Sequence, residues 1–254
     1  MRPLLPLLFL IAFSAIAQRP SPPKQILVDF RQNQDINSPK LTRATEKFVL
    51  SKVFRKYLSD ADKCNPNFAL NGSDDYLKAA RGAGQIVPSI VDSANGSFTA
   101  ASQSQTLYVI SVSECNASHA DNFGTKRVAI FNGPQLVADV DVDFRNSIVK
   151  KLDLNLDGID ELLMTSGDMA QGTLTEMASL LSFENGRVKV LEDFGTVNED
   201  SCASGFPGST AKASVIWFAP VPLGQMPKLR QDNYVSSCKN VKRWRFISTG
   251  KMPE

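Results

Sequence analysis

The chain has 254 residues, with 28 Lys and Arg against 26 Asp and Glu and with 43% hydrophobic residues. This composition excludes a disordered or fibrous chain, which lacks the apolar content to bury a core. A formal net charge of +2 also argues against nucleic acid or an anionic membrane surface as partner, because binding a polyanion takes a dense basic footprint.

The N-terminus reads MRPLLPLLFLIAFSAIA, with Arg2 ahead of an apolar run from Leu4 to Ile16 and small residues Ala15 and Ala17 before Gln18. That order is the signature of a secretory signal peptide over 1–17, and the run is too short to span a bilayer comfortably. The expected location is therefore secreted or periplasmic, with no membrane span after cleavage. All four cysteines, Cys64, Cys115, Cys202 and Cys238, lie beyond this segment. An even count in an oxidising compartment favours disulfides. Sequence alone leaves three pairings open; Cys64 with Cys115 and Cys202 with Cys238 is the preferred one, since each bridge joins chain neighbours. A zinc site is disfavoured by the lack of any C-x-x-C pair and by a single imidazole, His119.

Residues 18–37 open with RPSPP and are expected to form a Pro-rich extended tether, followed by one globular domain over 38–254. From Ser38 as N-cap and Pro39 at the first helical position, Leu41, Phe48, Val49, Val53, Phe54, Tyr57 and Leu58 recur at helical spacing. This pattern predicts an amphipathic helix of about five turns. A second short helix is expected from Ser73 to Arg81, stopped by Gly82 and Gly84. The helical part thus covers 38–85.

Beyond residue 100 the period falls to two. Leu107–Val112, Arg127–Phe131, Gln135–Phe144, Ile148–Leu152, Leu162–Met164, Ser179–Phe183, Arg187–Leu191, Ser214–Phe218, Tyr234–Ser236 and Arg243–Ile247 have the composition of strands. Asn185-Gly186 predicts a two-residue type I′ hairpin turn and Asn132-Gly133 a second hairpin. Phe131-Asn-Gly leading to Asp143-Phe144, and Phe183-Glu-Asn-Gly leading to Asp193-Phe194, repeat at an offset of about fifty residues, the period of propeller blades. The β part holds only about three such units, and closure takes at least four. The expected fold is α+β, mainly β: antiparallel sheets with blade-like hairpins covered by an N-terminal helix, not a complete propeller.

The segment with the most chemistry in it is Lys151-Leu-Asp-Leu-Asn-Leu-Asp-Gly-Ile-Asp-Glu-Leu-Leu-Met164. Asp153, Asn155, Asp157 and Glu161 fall at loop positions 1, 3, 5 and 9, with Gly158 at position 6 and the Ile159 carbonyl at position 7. Alternate oxygen donors around a sharp turn are what a hard cation such as Ca²⁺ takes from a loop. The loop is not an EF-hand, because position 8 is Asp160, position 12 is Met164 and an apolar strand follows.

Over 153–164 this stretch resembles the calcium loop of FG-GAP or VCBS repeats, found in the hairpins of integrin-α-type propellers. Their pattern is Asp-x-Asp/Asn-x-Asp-Gly-x-x-Asp leading into an apolar strand. The resemblance implies calcium coordination by Asp153, Asn155, Asp157, the Ile159 carbonyl and Glu161. Two positions depart from the pattern: Glu161 stands where the family has Asp, and Leu156 where it has a small residue, often Gly.

Four further groups have simpler readings. Asp139, Asp141 and Asp143 alternate with apolar residues and form a solvated strand face. His119 with Asp121 lies in a polar loop, and no G-x-S-x-G elbow accompanies them. Glu114 and Glu161 are the residues that could pair as carboxylates for glycoside chemistry, given a suitable separation in space. Lys239, Lys242, Arg243 and Arg245 around Trp244 predict a basic strand exterior, with Trp244 and Phe246 facing inward. No catalytic residue is assigned. The expected role is that of an extracellular binding or interaction module with a structural calcium loop, its partner an unknown extracellular protein or glycan. A secreted hydrolase with a carboxylate- or calcium-assisted site is the alternative.

Overall fold

The computed structural model describes residues 23–32, 34, 40–54, 86–114, 125–240 and 243–253. Within them the chain forms one α-helix, α1 (Arg43–Val53), two 3-10 turns and twelve strands. These are β1 (Gln25–Asp29), β2 (Ile86–Gly96), β3 (Gln105–Glu114), β4 (Lys126–Asn132), β5 (Gln135–Asp141), β6 (Ser147–Leu152), β7 (Glu161–Ala170), β8 (Thr173–Ser182), β9 (Lys189–Asp200), β10 (Thr210–Phe218), β11 (Leu229–Ser237) and β12 (Arg245–Thr249). Strands β2 to β5 make one antiparallel meander, and β6 to β12 make a second in chain order. The mainly β, antiparallel class is as the sequence implies, with the helix against one sheet.

The periodicity follows from the layering. In β3, Leu107 and Val109 point to one core while Tyr108, Ile110 and Val112 point to another. In β4, Val128 and Ile130 are opposed in the same way to Ala129 and Phe131. Alternate side chains leave opposite faces of a strand, so the β2–β5 sheet is apolar on both sides. One face receives Val49, Leu50 and Phe54 from α1 and its C-cap. The other receives Leu162, Met164, Leu181 and Phe183 from the second sheet. That sheet packs its far side, with Leu163, Leu180, Val197 and Ile216, on Leu27, Val28 and Phe30.

The last three residues come from the stretch expected to be a tether. Gln25–Asp29 is instead a strand paired antiparallel with β10 from Phe218 to Val215. The physical reason is a gap: β9 pairs with β10 only at Ala211, Lys212 and Ala213, so the edge beyond is left for β1. Two residues clamp the strand. Lys24 sits 3.8 Å over the Trp217 ring, and the Arg31 guanidinium lies 4.4 Å over Tyr234.

α1 begins later than predicted, at Arg43, because the Thr42 hydroxyl accepts from the Thr45 N–H and caps the helix. It ends at Val53 with Phe54 extended. The helix expected over 73–81, and Tyr57 and Leu58, lie outside the described residues. β2 is a further strand that was not anticipated, and Asp92 sits at its bulge. The Asp92 carboxylate joins the two sheets, accepting the Ile148 N–H of β6 at 2.7 Å. Burial raises its pKa despite that bond and one from Ser93.

The turns are specific. At Asn185-Gly186 both residues have φ > 0, at 57° and 70°, as type I′ requires. This turn is not the two-residue connection expected, since β8 and β9 close with Ser182 opposite Lys189, and the Asn185 N–H donates to Thr99 O of the β2–β3 turn at 2.9 Å. In the other hairpin Asn132 pairs with Gln135. Gly133 has φ 55°, and Pro134 follows with its ring-fixed negative φ, the type II′ sign pattern.

Gln171 and Gly172, at φ 49° and 76°, turn β7 into β8 beneath a 3-10 turn at Cys202–Ser204. A Cβ on Gly172 would lie 2.7 Å from Ser204 Cα and 2.9 Å from the Ala203 carbonyl. Gly172→Ala is therefore expected to cost about 2 kcal/mol through strain and backbone overlap. Gly133→Ala, where a Cβ meets nothing within 4 Å, should cost only about 1 kcal/mol. Urea unfolding of the two variants checks the difference.

The bridge Cys202–Cys238 is present, with Cα atoms 5.3 Å apart. Cys64 and Cys115 lie outside the described residues. No helix among the described residues is long and apolar enough to cross a membrane.

Candidate functional site

The acidic loop joins β6 to β7 and is closed by the pair Leu152 and Glu161. Its shape comes from short-range acceptor chemistry. Asp153 takes the Asp157 N–H on Oδ1 at 3.0 Å and the Gly158 N–H on Oδ2 at 2.8 Å. Asp157 takes the Ile159 N–H at 2.8 Å, and Asn155 Nδ2 donates to Asp157 Oδ2 at 2.7 Å. Aspartate and asparagine side chains satisfy nearby backbone donors readily, which is why they shape tight turns.

Two residues adopt the left-handed region. Gly158 has φ 86°, and Leu156 has φ 59° with 61% of its surface exposed. Leu156 is the residue that departs from the resembled pattern at position 4. A non-glycine residue there costs about 1 kcal/mol, which gives a reason for a small residue at that place in the family.

Glu161 is the most distinctive group. It is 3% exposed, and its Oε2 accepts the Leu154 N–H at 2.9 Å. Burial pushes its pKa up to about 7; the Leu154 bond opposes that rise, and the nearby charges of Asp157 and Asp153 add to it. Among the described residues no basic group offsets these effects. A carboxylate in such a place is short of positive charge.

Asp160, which disqualified an EF-hand, has a separate job. Its Oδ2 accepts the Ser97 N–H at 2.8 Å and pairs with Lys151 at 3.5 Å, while its own N–H donates to Ser97 O at 2.7 Å. The loop is thus clasped to the β2–β3 turn, and a Cβ on Gly96 would push the Asp160 carboxylate out of this position. On its other flank the Asn155 carbonyl accepts the Gly224 N–H at 2.7 Å. Neither anchor is visible in the sequence, because both partners are distant along the chain.

The donor set of Asp153, Asn155, Asp157, the Ile159 carbonyl and Glu161 is all oxygen with three carboxylates, which suits Ca²⁺ by chemistry. The set is not preassembled: among the described residues no three His, Cys, Asp or Glu side chains gather as a metal-holding group. The side-chain oxygens instead accept from the loop's own N–H groups.

Of the other candidates, Asp139 and Asp141 face Arg127 at 2.7 and 3.7 Å, and Asp143 faces Arg145 at 2.9 Å. The acidic row is thus paired with Arg127 of β4 and with Arg145 of the β5–β6 connection. β12 starts only at Arg245; Trp244 packs on the core, but Phe246 is 52% exposed and stacks edge-on with Tyr234. The inward placement expected for Phe246 is therefore corrected: Trp244 precedes β12, so the strand alternation that would place both on one face does not extend to it. His119, Asp121, Lys242 and the Glu114 side chain lie outside the described residues.

Fold and site define a mainly β chain of two antiparallel meanders, stapled by a disulfide, with an oxygen-rich turn between β6 and β7. No protein-family model, curated protein or solved structure matches it.

Proposed function

We propose that the protein is a secreted or periplasmic binding module whose 153–161 turn holds a structural Ca²⁺, in the manner of the FG-GAP and VCBS loops it resembles. Asp153, Asn155, Asp157, the Ile159 carbonyl and Glu161 supply the oxygens. The observation that carries this reading is Glu161, a buried carboxylate with two further carboxylates near it and no basic group among the described residues to offset them. A divalent cation provides the missing charge and replaces backbone donors as the partner of Asp153 and Asp157. The leader-like segment 1–17 and the Cys202–Cys238 bridge support an oxidising compartment. The partner is an extracellular protein or glycan.

Calcium binding only to the folded state adds about 2.7 kcal/mol at a hundredfold excess over Kd. The melting temperature should therefore climb with added Ca²⁺ and fall back in chelator, and Asp157→Ala should abolish the response. Melts that coincide with and without chelator would sink the reading.

A further inference from the structure

We infer that cation occupancy of the 153–161 turn controls the order of the loop 219–228 between β10 and β11; this rests on the calcium reading above. The two loops meet at one residue of the candidate ligand set. Asn155 turns its side chain toward Asp157, through Nδ2 to Oδ2 at 2.7 Å and by accepting the Asp157 N–H at 3.2 Å. Its main-chain oxygen takes the Gly224 N–H at 2.7 Å.

Pro227 is buried at the end of the loop 219–228, and over 220–226 the Gly224 bond to Asn155 is the described backbone tie to the rest of the chain. The loop sequence, Ala-Pro-Val-Pro-Leu-Gly-Gln-Met-Pro-Lys, contains three prolines that have no N–H to donate. Residues 220–226 are exposed. Its other described backbone bond, from Gln225 N–H to Pro222 O at 3.1 Å, lies within the loop itself. Gly224 has φ 77°, and a Cβ there would touch nothing within 4 Å, so packing does not hold the position either.

Among the described residues the Asn155 side chain bonds to Asp157, its neighbour two residues on. A cation shared by Asn155 Oδ1, Asp153, Asp157 and Glu161 fixes residue 155 against the buried Glu161 instead. The peptide that holds Gly224 is then fixed as well. Because coupling between two equilibria is reciprocal, whatever stabilises the Gly224 bond also raises cation affinity by the same factor. The consequence for the surface is an apolar edge, Leu156, Val221, Leu223 and Met226, all exposed and Leu223 by 74%, whose presentation is set by the ion.

Hydrogen exchange at the Gly224 amide, followed by NMR in the full chain with calcium chloride or with chelator, tests this directly, with thermal melts run on the same samples. Protection at Gly224 should rise by about five-fold or more with calcium. The Ser209 amide, bonded to Phe206 O in another loop, should stay unchanged. Asp157→Asn should lose both the melt shift and the Gly224 response. A melt shift without a change at Gly224 overturns the coupling and leaves the calcium site standing. The absence of any melt shift overturns the calcium reading, and the coupling falls with it.

Discussion

Replacing Cys202 and Cys238 together by serine is expected to lower the free energy of unfolding by about 4 kcal/mol, the chain-entropy value for a closed loop of this size. The bridge spans 36 residues. It ties the β9–β10 connection to the end of β11 across the top of β10. That is where the second sheet is weakest, because β9 and β10 share only Ala211, Lys212 and Ala213 in register. Without the bridge, the connection keeps a small polar network. The Thr210 N–H donates to Ser201 Oγ at 3.0 Å and the Ser204 hydroxyl to the Ser201 carbonyl at 2.7 Å. The network is local and does not restrict the unfolded chain, so it cannot substitute for the bridge. Urea unfolding of the double variant beside the oxidised protein measures the effect. A loss below about 1 kcal/mol would show that the ladder and network hold this corner, contrary to the entropic account.

The parts of the fold that sequence reveals are those whose residues carry the cause locally. β3 and β4 read as strands because burial on both faces gives Leu107-Tyr-Val-Ile110 and Val128-Ala-Ile-Phe131, runs no polar face interrupts. β1 and β2 are invisible for opposite reasons. β1 follows prolines and owes its existence to β9 leaving β10, a fact written nearly two hundred residues further on. β2 contains Pro88 and Asp92, which suit an edge strand with a bulge and read poorly as anything else. α1 was displaced toward its true start by Thr42, a cap no stronger by type than Ser38.

The acidic turn was legible for the same local reason, since Asp153, Asn155 and Asp157 each accept from a backbone N–H within five residues. What the pattern did not carry was the clasp of Asp160 on Ser97, the tie of Asn155 to Gly224, and the depth at which Glu161 lies. All three depend on where the second sheet brings distant loops.

In chelator, stability is expected to decline as pH rises from about 5 to 8, by roughly 3 kcal/mol from Glu161 alone. The unfolded chain ionises this residue at the ordinary carboxylate value, whereas the folded state keeps it protonated until pH reaches about 7. Between those values the unfolded state releases a proton that the folded state retains, so rising pH favours unfolding. The contribution is complete below the unfolded value and is lost as pH passes through the folded one. Asp92 is raised by burial too and acts in the same direction, so the wild-type profile contains both. Glu161→Gln isolates the effect: glutamine preserves an acceptor for the Leu154 N–H and cannot ionise. At pH 8 in chelator the variant should be more stable than wild type by roughly 3 kcal/mol, and at pH 5 the two should be close. Saturating calcium should reverse the order at pH 8, because the cation stabilises the carboxylate that wild type has and the variant lacks. Urea unfolding at four pH values, with and without calcium, measures all of this. Parallel profiles for wild type and variant in chelator would mean that Glu161 is not held in a charge-poor site. A crossing that appears only with calcium would identify the cation as what makes a buried glutamate at position 9 an asset to this fold.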